Sequence, residues 1–418
     1  MYLQQVKPDF LEALATIQQE QHQNLSFRQK TIRLFNNHNF ILVLWVLLVL
    51  VVSLKHAFQA TPNNNYLIFK YAYFNATEHL NLYLLYPDKY LDSNHYGPFF
   101  SLLIAPFALL PDYFGMLFWQ FANVLFLYFA IKQLPINPTK INIVYWLITH
   151  ELLTAMFALQ FNISIAAIIV LAYAFIDKEK NFWAAFVIVL GTFVKLYGIV
   201  GLAFFFFVKQ KPKFIAYCFF WAIVFFVLPM VFFSPAFIIQ SYQDWYVSLS
   251  EKQLFNASLT SMQDISVMGM ARRLSGNVQL SNLPFLLAGL VLFALPYLRI
   301  KAYKEPVFRL LFLASALIFA VIFSNSSESP TYIIAFVGVA VWYVVQDEPF
   351  KPATIALLVF ALLLTSFSPS DLFPKFIREN YIKPYSLKAL PCIIVWLVVI
   401  YQLMFSKFHL KKTPLINA

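Results

Sequence analysis

The stretch from Phe40 to Ala57 is almost wholly apolar, and comparable stretches return at roughly 98–110, 115–133, 142–158, 162–177, 182–208, 213–233, 281–298, 306–323, 330–346, 352–368 and 388–406. A helix needs about 20 mostly apolar residues to cross the hydrocarbon core of a bilayer, where backbone polar groups can be satisfied only inside the helix. The expected fold is therefore an all-α, polytopic transmembrane helical bundle of about 12 membrane segments, some of them short or broken. Composition excludes the other classes. The chain is 61% hydrophobic and only 12% charged, against about 25% charged in a soluble domain. An aromatic share of 19% excludes disorder, and unbroken apolar runs exclude the alternating strands of an outer-membrane barrel.

The net charge of +11 is read first as topology, because Lys and Arg in short loops mark the cytoplasmic side. Residues 1–39 are then a cytoplasmic N-terminal segment. Within it Phe10, Leu11, Leu14 and Ile17 at helical spacing, followed by Arg28, Lys30 and Arg33, fit an interfacial helix, and a disordered tail accounts for them as well. Residues 40–406 form one integral domain whose first helix is an anchor rather than a removed leader, and 407–418 form a basic cytoplasmic tail with Lys407, Lys411 and Lys412. Both termini are expected in the cytoplasm of a multi-pass protein of the plasma (inner) membrane. The outer loops are 59–97, 234–280, 324–330 and 369–387.

Counting every segment as a crossing leaves Lys178 and Lys180 outside, against the charge bias. A partial helix at 98–110 and a hairpin that breaks 182–208 at Lys195-Leu196-Tyr197-Gly198 repair this. Gln160, Asn162 and Lys195 then face outward, and broken helices are tolerated where they line a polar cavity.

Polar side chains cluster on that side. The loop 61–97 holds Asn65, Glu78, Asp88, Asp92, Asn94, His95 and Tyr96, and 240–277 adds Asp244, Trp245, Asn256, Asp264, Arg272 and Arg273. Sugar hydroxyls want paired donors and acceptors while sugar C–H faces stack on rings, although interfacial aromatic belts produce a similar composition. A carboxylate can take a proton from an attacking hydroxyl while Lys or Arg holds a phosphate leaving group. Glu78, Asp88, Asp92 and Glu328 are the outer acids beside aromatic or amide residues. His150-Glu151 sits inside an apolar helix, where it is either a functional pair or a bundle-facing structural one, and Lys195 in its apolar run suits an anionic headgroup. Cys218 and Cys392 read as buried structural thiols. No Cys/His metal pattern, phosphate loop or nucleophile elbow is present, and the charge does not imply nucleic acid.

Motif order adds a resemblance. Asn65-Tyr66 is followed by Asn81-Leu82-Tyr83, then His95-Tyr96-Gly97-Pro98-Phe99-Phe100 leads to Pro106 and Leu109-Leu110-Pro111. Gln160-Phe161-Asn162, Gly191 with Lys195-Leu196-Tyr197, Asn256-Ala257-Ser258-Leu259, Arg272 and Ser329-Pro330 continue the series. The order resembles glycosyltransferase family 87, the polyprenol-phosphate-mannose-dependent mannosyltransferases with the GT-C membrane fold. The resemblance implies a surface helix in the first outer loop and an inverting transfer of mannose from a polyprenyl-phosphate sugar donor to a glycolipid or glycan acceptor. It implies a carboxylate general base and no nucleotide sugar, with membrane lipids as surroundings; no metal and no separate cofactor are expected.

On that resemblance Asp88 or Asp92, ahead of Glu78, is the candidate base, and Asn65 stands where the family has its first-loop catalytic Asp. Lys195 and Arg272 are expected to hold the donor phosphate, and Gln160, Asn162, Asn256, Tyr66, Tyr96, His95 and Trp245 to bind or shape the sugar site. Two further readings stand beside it. One is a transporter or flippase of a lipid-linked glycan with His150-Glu151 and Lys195 along its path, against which the absence of visible repeats weighs. The other, suggested by Asn65, is a silent family member that binds lipid-linked sugar.

Overall fold

The computed structural model describes residues 27–59 and 61–408. The expected interfacial helix within 8–35 lies mostly outside the described residues, as do Lys411 and Lys412. All regular structure among the described residues is helical. In chain order the helices are α1 (Phe27–Phe35), α2 (His38–Ala57), α3 (Asn64–Thr77), α4 (Phe100–Ala108), α5 (Asp112–Ile131), α6 (Pro138–Phe157), α7 (Asn162–Asp177) and α8 (Asn181–Val194). A 3-10 arm, Leu196–Phe207, leads to α9 (Lys211–Phe232), α10 (Pro235–Asn256), α11 (Val267–Ser275), α12 (Leu283–Ala294), α13 (Pro306–Ile322), α14 (Tyr332–Val344) and α15 (Pro352–Phe360). A π-helical continuation, Ala361–Phe367, and short helical turns precede α16 (Leu390–Phe405).

The expectation of about 12 membrane segments needs correction. Among the described residues four stretches are long and apolar enough to cross a membrane: α2, α5, α9 and Leu387–Phe405. Seven more apolar helical stretches fall short, among them α7, α8, the 3-10 arm and α13. The apolar runs are cut by changes of helical type, as at the 3-10 arm and the π segment. At 1.5 Å per residue, the nine-residue α4 reaches only about 14 Å.

Burial sorts the helices into centre and periphery. α7, α13 and α14 are buried on nearly every side, as expected of helices apolar all round at the middle of a bundle. Small residues permit the approach, since a Cβ on Gly338 of α14 would stand 2.8 Å from the Ala314 carbonyl oxygen of α13. On α9, by contrast, Phe219, Ile223, Val231 and Phe232 are largely exposed, which suits a helix facing lipid.

Two elements position the site. Helix α3 begins where the Asn63 side chain accepts from the Asn65 N–H at 3.0 Å, and it buries Tyr66, Ile68, Phe69 and Ala72 against the bundle. The other is a hairpin: α8 stops at Lys195, which is extended (φ −152°, ψ 121°), and the 3-10 arm doubles back. Its two arms touch through glycine, because a methyl group at Gly198 would lie 2.2 Å from the Gly191 carbonyl carbon. That contact is backbone and cannot swing aside. Gly198→Ala is expected to cost about 1–3 kcal/mol by overpacking, seen as a lower melting temperature in detergent; an unchanged melt would show that the arms separate freely.

Candidate functional site

The first loop is sewn to the hairpin apex. The Gly97 N–H donates to the Val194 carbonyl at 3.0 Å, and a Cβ at Gly97 would collide with the Phe193 oxygen at 2.0 Å. Helix α10 closes the opposite side with one face, Ile238, Ser241, Trp245, Ser248 and Asn256, turned inward at helical spacing. From that face the Trp245 indole donates to the His95 carbonyl at 2.9 Å, and the Ser248 hydroxyl donates to the Asn94 carbonyl at 3.2 Å. At its far end Asn256 Nδ2 donates to the Asn325 carbonyl and to Ser326 Oγ, both at 3.1 Å. One helix thus ties the first loop to the loop between α13 and α14.

These elements enclose a cavity of about 300 Å³. Two cations, Lys195 and Lys252, and two carboxylates, Asp92 and Glu328, line it. Asn65, Gln160, Tyr96, Tyr197, Trp245 and the Ser324–Ser326 run supply amides, rings and hydroxyls. Lys252 faces Asp92 at 3.6 Å across the rim. The Lys195 ammonium lies over the rings of Tyr96 at 5.4 Å and Tyr197 at 5.2 Å, the range of cation–π attraction.

A hydrogen-bonded chain runs behind the cavity wall. Lys195 Nζ donates to Asn162 Oδ1 at 2.7 Å, Asn162 Nδ2 to Gln160 Oε1 at 2.5 Å, and Gln160 Nε2 to Glu328 Oε2 at 2.7 Å. Asn162 Nδ2 also reaches Thr331 Oγ1 at 3.3 Å. Each amide uses both its oxygen and its nitrogen in this chain, so each can point only one way.

His95 shares a hydrogen bond with Ser248 Oγ at 2.8 Å through Nδ1, while Nε2 is buried without a partner among the described residues. Burial, reinforced by Lys252 and opposed by Asp92, pushes its pKa down from 6.5 to about 4. The folded state therefore holds the neutral ring, and the unfolded chain binds the extra proton between the two values. The stability His95 contributes is present above about pH 6.5 and lost as pH falls toward 4. His95→Gln is expected to flatten this part of the melting-temperature profile; parallel profiles for the two proteins would remove His95 as the cause.

The residues expected from the sequence divide into three groups. Asn65, Asp92, His95, Tyr96, Gln160, Lys195 and Trp245 line the cavity together. Asn162 stands directly behind Lys195 and Gln160, and Asn256 sits behind the Asn325 wall. The rest are elsewhere. Tyr66 is fully buried and donates to the Phe107 carbonyl at 3.0 Å. Glu78 is 3.9 Å from Lys89, Asp88 is exposed, and neither lines the cavity. Arg272 is spent on Asp264, with further donation to Asn282 and to the Leu280 carbonyl.

Lys252 and Ser324–Ser326 enter the site without a signal singled out in the sequence, Tyr197 stands out there only as a neighbour of Lys195, and Glu328 is one outer acid among four. Lys252 was findable, standing seven residues after Trp245 and four after Ser248 on one helical face. His150 and Glu151 diverge: His150 Nδ1 pairs with Ser366 Oγ at 3.1 Å, while Glu151 binds Lys388 at 3.0 Å. Among the described residues no group of three or more His, Cys, Asp or Glu is placed to hold a metal.

The model of glycosyltransferase family 87 matches residues 94–324, from the first loop to the late cavity wall and more than half of the chain. The chain belongs to glycosyltransferase family 87. No curated protein matches its sequence. The family 87 match takes in His95, Tyr96, Gln160, Lys195, Trp245 and Lys252 of the cavity, while Asp92 and Glu328 fall just beyond its two ends and Asn65 lies well before its start. Membership makes this a membrane-associated, glycosyltransferase-like protein.

Proposed function

We propose that this protein transfers mannose from a polyprenyl-phosphate donor to a hydroxyl of a glycolipid or glycan, with inversion, at the outer face of the inner membrane. In this reading residues 40–406 are one integral GT-C-like domain with both termini cytoplasmic. One observation carries it: cations, carboxylates and aromatic rings converge on a single cavity at the end of a family 87 bundle. At about 300 Å³ the cavity is at the small end of ligand pockets, suited to a sugar whose lipid tail stays outside.

The chemistry asks for two charges acting on opposite sides of one carbon. A carboxylate takes the acceptor hydroxyl's proton as the new C–O bond forms, and the old bond breaks with its electron pair passing to the phosphate. Lys195, with Lys252 beside it, balances the charge that grows on the leaving group. Trp245, Tyr96, His95 and Asn65 bound the sugar.

Asn65 supports a second reading, a family member that binds lipid-linked sugar without transferring it, since an amide cannot serve as a general base. Purified protein in detergent, given polyprenyl-phosphate mannose and a membrane glycolipid extract, separates the two. Mannosyl transfer with inverted anomeric configuration is expected. Donor binding without transfer, with turnover appearing only in Asn65→Asp, would establish the silent binder instead.

A further inference from the structure

Of the two carboxylates at the cavity, we infer that Glu328 is the general base, held in place by Gln160 and Asn162 as positioning residues. The inference rests on the transfer reading above and names the residue that does its proton chemistry. Asp92 is already answered: it faces Lys252 at 3.6 Å and accepts from the Ser93 N–H at 2.8 Å, with about half of its side chain exposed at the rim. Among the described residues, Glu328 has no cation within ion-pair distance, alone of the cavity's two acids.

The chain of amides explains how a carboxylate and an ammonium coexist here without collapsing onto each other. Asn162 must present its oxygen to Lys195, because its nitrogen is taken by Gln160 and Thr331. Gln160 must then present its nitrogen to Glu328. A cation donor begins the chain and an anion acceptor ends it, so both charges are solvated by fixed dipoles and kept apart. That separation is what an in-line displacement needs, with a base on one side of the anomeric carbon and a cation at the leaving phosphate on the other.

The backbone fixes Glu328 as firmly as the amide does. Its N–H donates to Thr331 Oγ1 at 3.2 Å and its side chain accepts from the Thr331 N–H, a capping box that starts the turn into α14. The opposite wall reaches the Gln160 segment, because Asn65 Nδ2 donates to the Ala158 carbonyl at 2.8 Å, two residues before Gln160. Asn65 and Glu328 therefore flank one short segment. In the reaction the acceptor O–H proton passes to the Glu328 carboxylate while the hydroxyl oxygen bonds to the anomeric carbon. The polyprenyl phosphate departs with the electron pair of the broken bond.

The test is mannosyl transfer by the purified full chain, using polyprenyl-phosphate mannose and a membrane glycolipid extract, with donor binding measured separately. Glu328→Gln is expected to lower kcat about a hundredfold or more while binding donor like the wild type. Glu328→Asp should recover at least about tenfold of that loss, and Asp88→Asn, outside the cavity, should behave as wild type. Active wild type with an equally active Glu328→Gln overturns the assignment and leaves the transfer reading standing. Wild type that binds donor but never transfers overturns both. Should Glu328→Gln melt early, the wild-type and Glu328→Asp pH–rate profiles decide: an acid limb displaced by the Asp supports the base, and an unmoved limb overturns it.

Discussion

Lys195→Ala is expected to lower kcat/KM for lipid-linked donor by about 10²–10³, the range for removing one preorganised group that stabilises developing negative charge. The ammonium is fixed from one side by Asn162 Oδ1 at 2.7 Å and flanked by the rings of Tyr96 and Tyr197, so its aim into the cavity is set before any ligand arrives. An ammonium carries three donors and Asn162 takes one. The loss should fall more on kcat than on donor affinity, because the charge on the phosphate grows in the transition state. Arg272→Ala is the informative contrast. Its guanidinium answers the buried Asp264, so that variant should melt early instead of losing donor contacts. A Lys195→Ala enzyme within threefold of wild type would remove Lys195 from the leaving-group site.

The second large effect concerns stability. Lys388 reaches both oxygens of Glu151, at 3.0 and 3.1 Å, and Ser329 Oγ at 3.0 Å, with Glu151 fully buried and Lys388 nearly so. A pair of this kind adds little over an apolar pair of the same size, but removing one partner strands the other. Lys388→Met is expected to cost about 3–5 kcal/mol, and adding Glu151→Leu should return most of it. Thermal melting in detergent, followed by tryptophan fluorescence, reads both. A double variant no more stable than Lys388→Met would mean that the two side chains do not act as a pair.

Because Lys388 also binds Ser329, the residue after Glu328, the same single variant is expected to loosen the late cavity wall. The sequence raised His150-Glu151 as one unit, which adjacent positions on an apolar helix suggest. Neighbours on a helix diverge by about 100°, and here they do, His150 toward Ser366 and Glu151 toward Lys388.

The acids show a similar limit. Glu78, Asp88, Asp92 and Glu328 all follow from loop position and aromatic neighbours, and nothing local ranks them. Only packing of the first loop against α10 and the α13–α14 connection brings Asp92 and Glu328 to the cavity and leaves Glu78 beside Lys89. The break at Lys195 was legible because a charge and two nearby glycines interrupt an apolar run, and the backbone turns extended at that residue. The number of full crossings was not, since hydropathy counts apolar residues and does not see where a helix tightens to 3-10 or widens to π.

The sequence by itself determined the all-helical, membrane-associated class and the family order of motifs. Those depend on local quantities: apolar run length, helical period, and the spacing of Gly, Pro and amides. The tertiary structure alone decided which charge answers which. Lys388 and Glu151 are 237 residues apart and Gln160 and Glu328 168 apart, so their pairing is set by how buried helices pack. A buried charge must find a partner, and in a chain with only 19 acids and 30 basic residues the partner it finds settles whether it holds the fold or is left for chemistry.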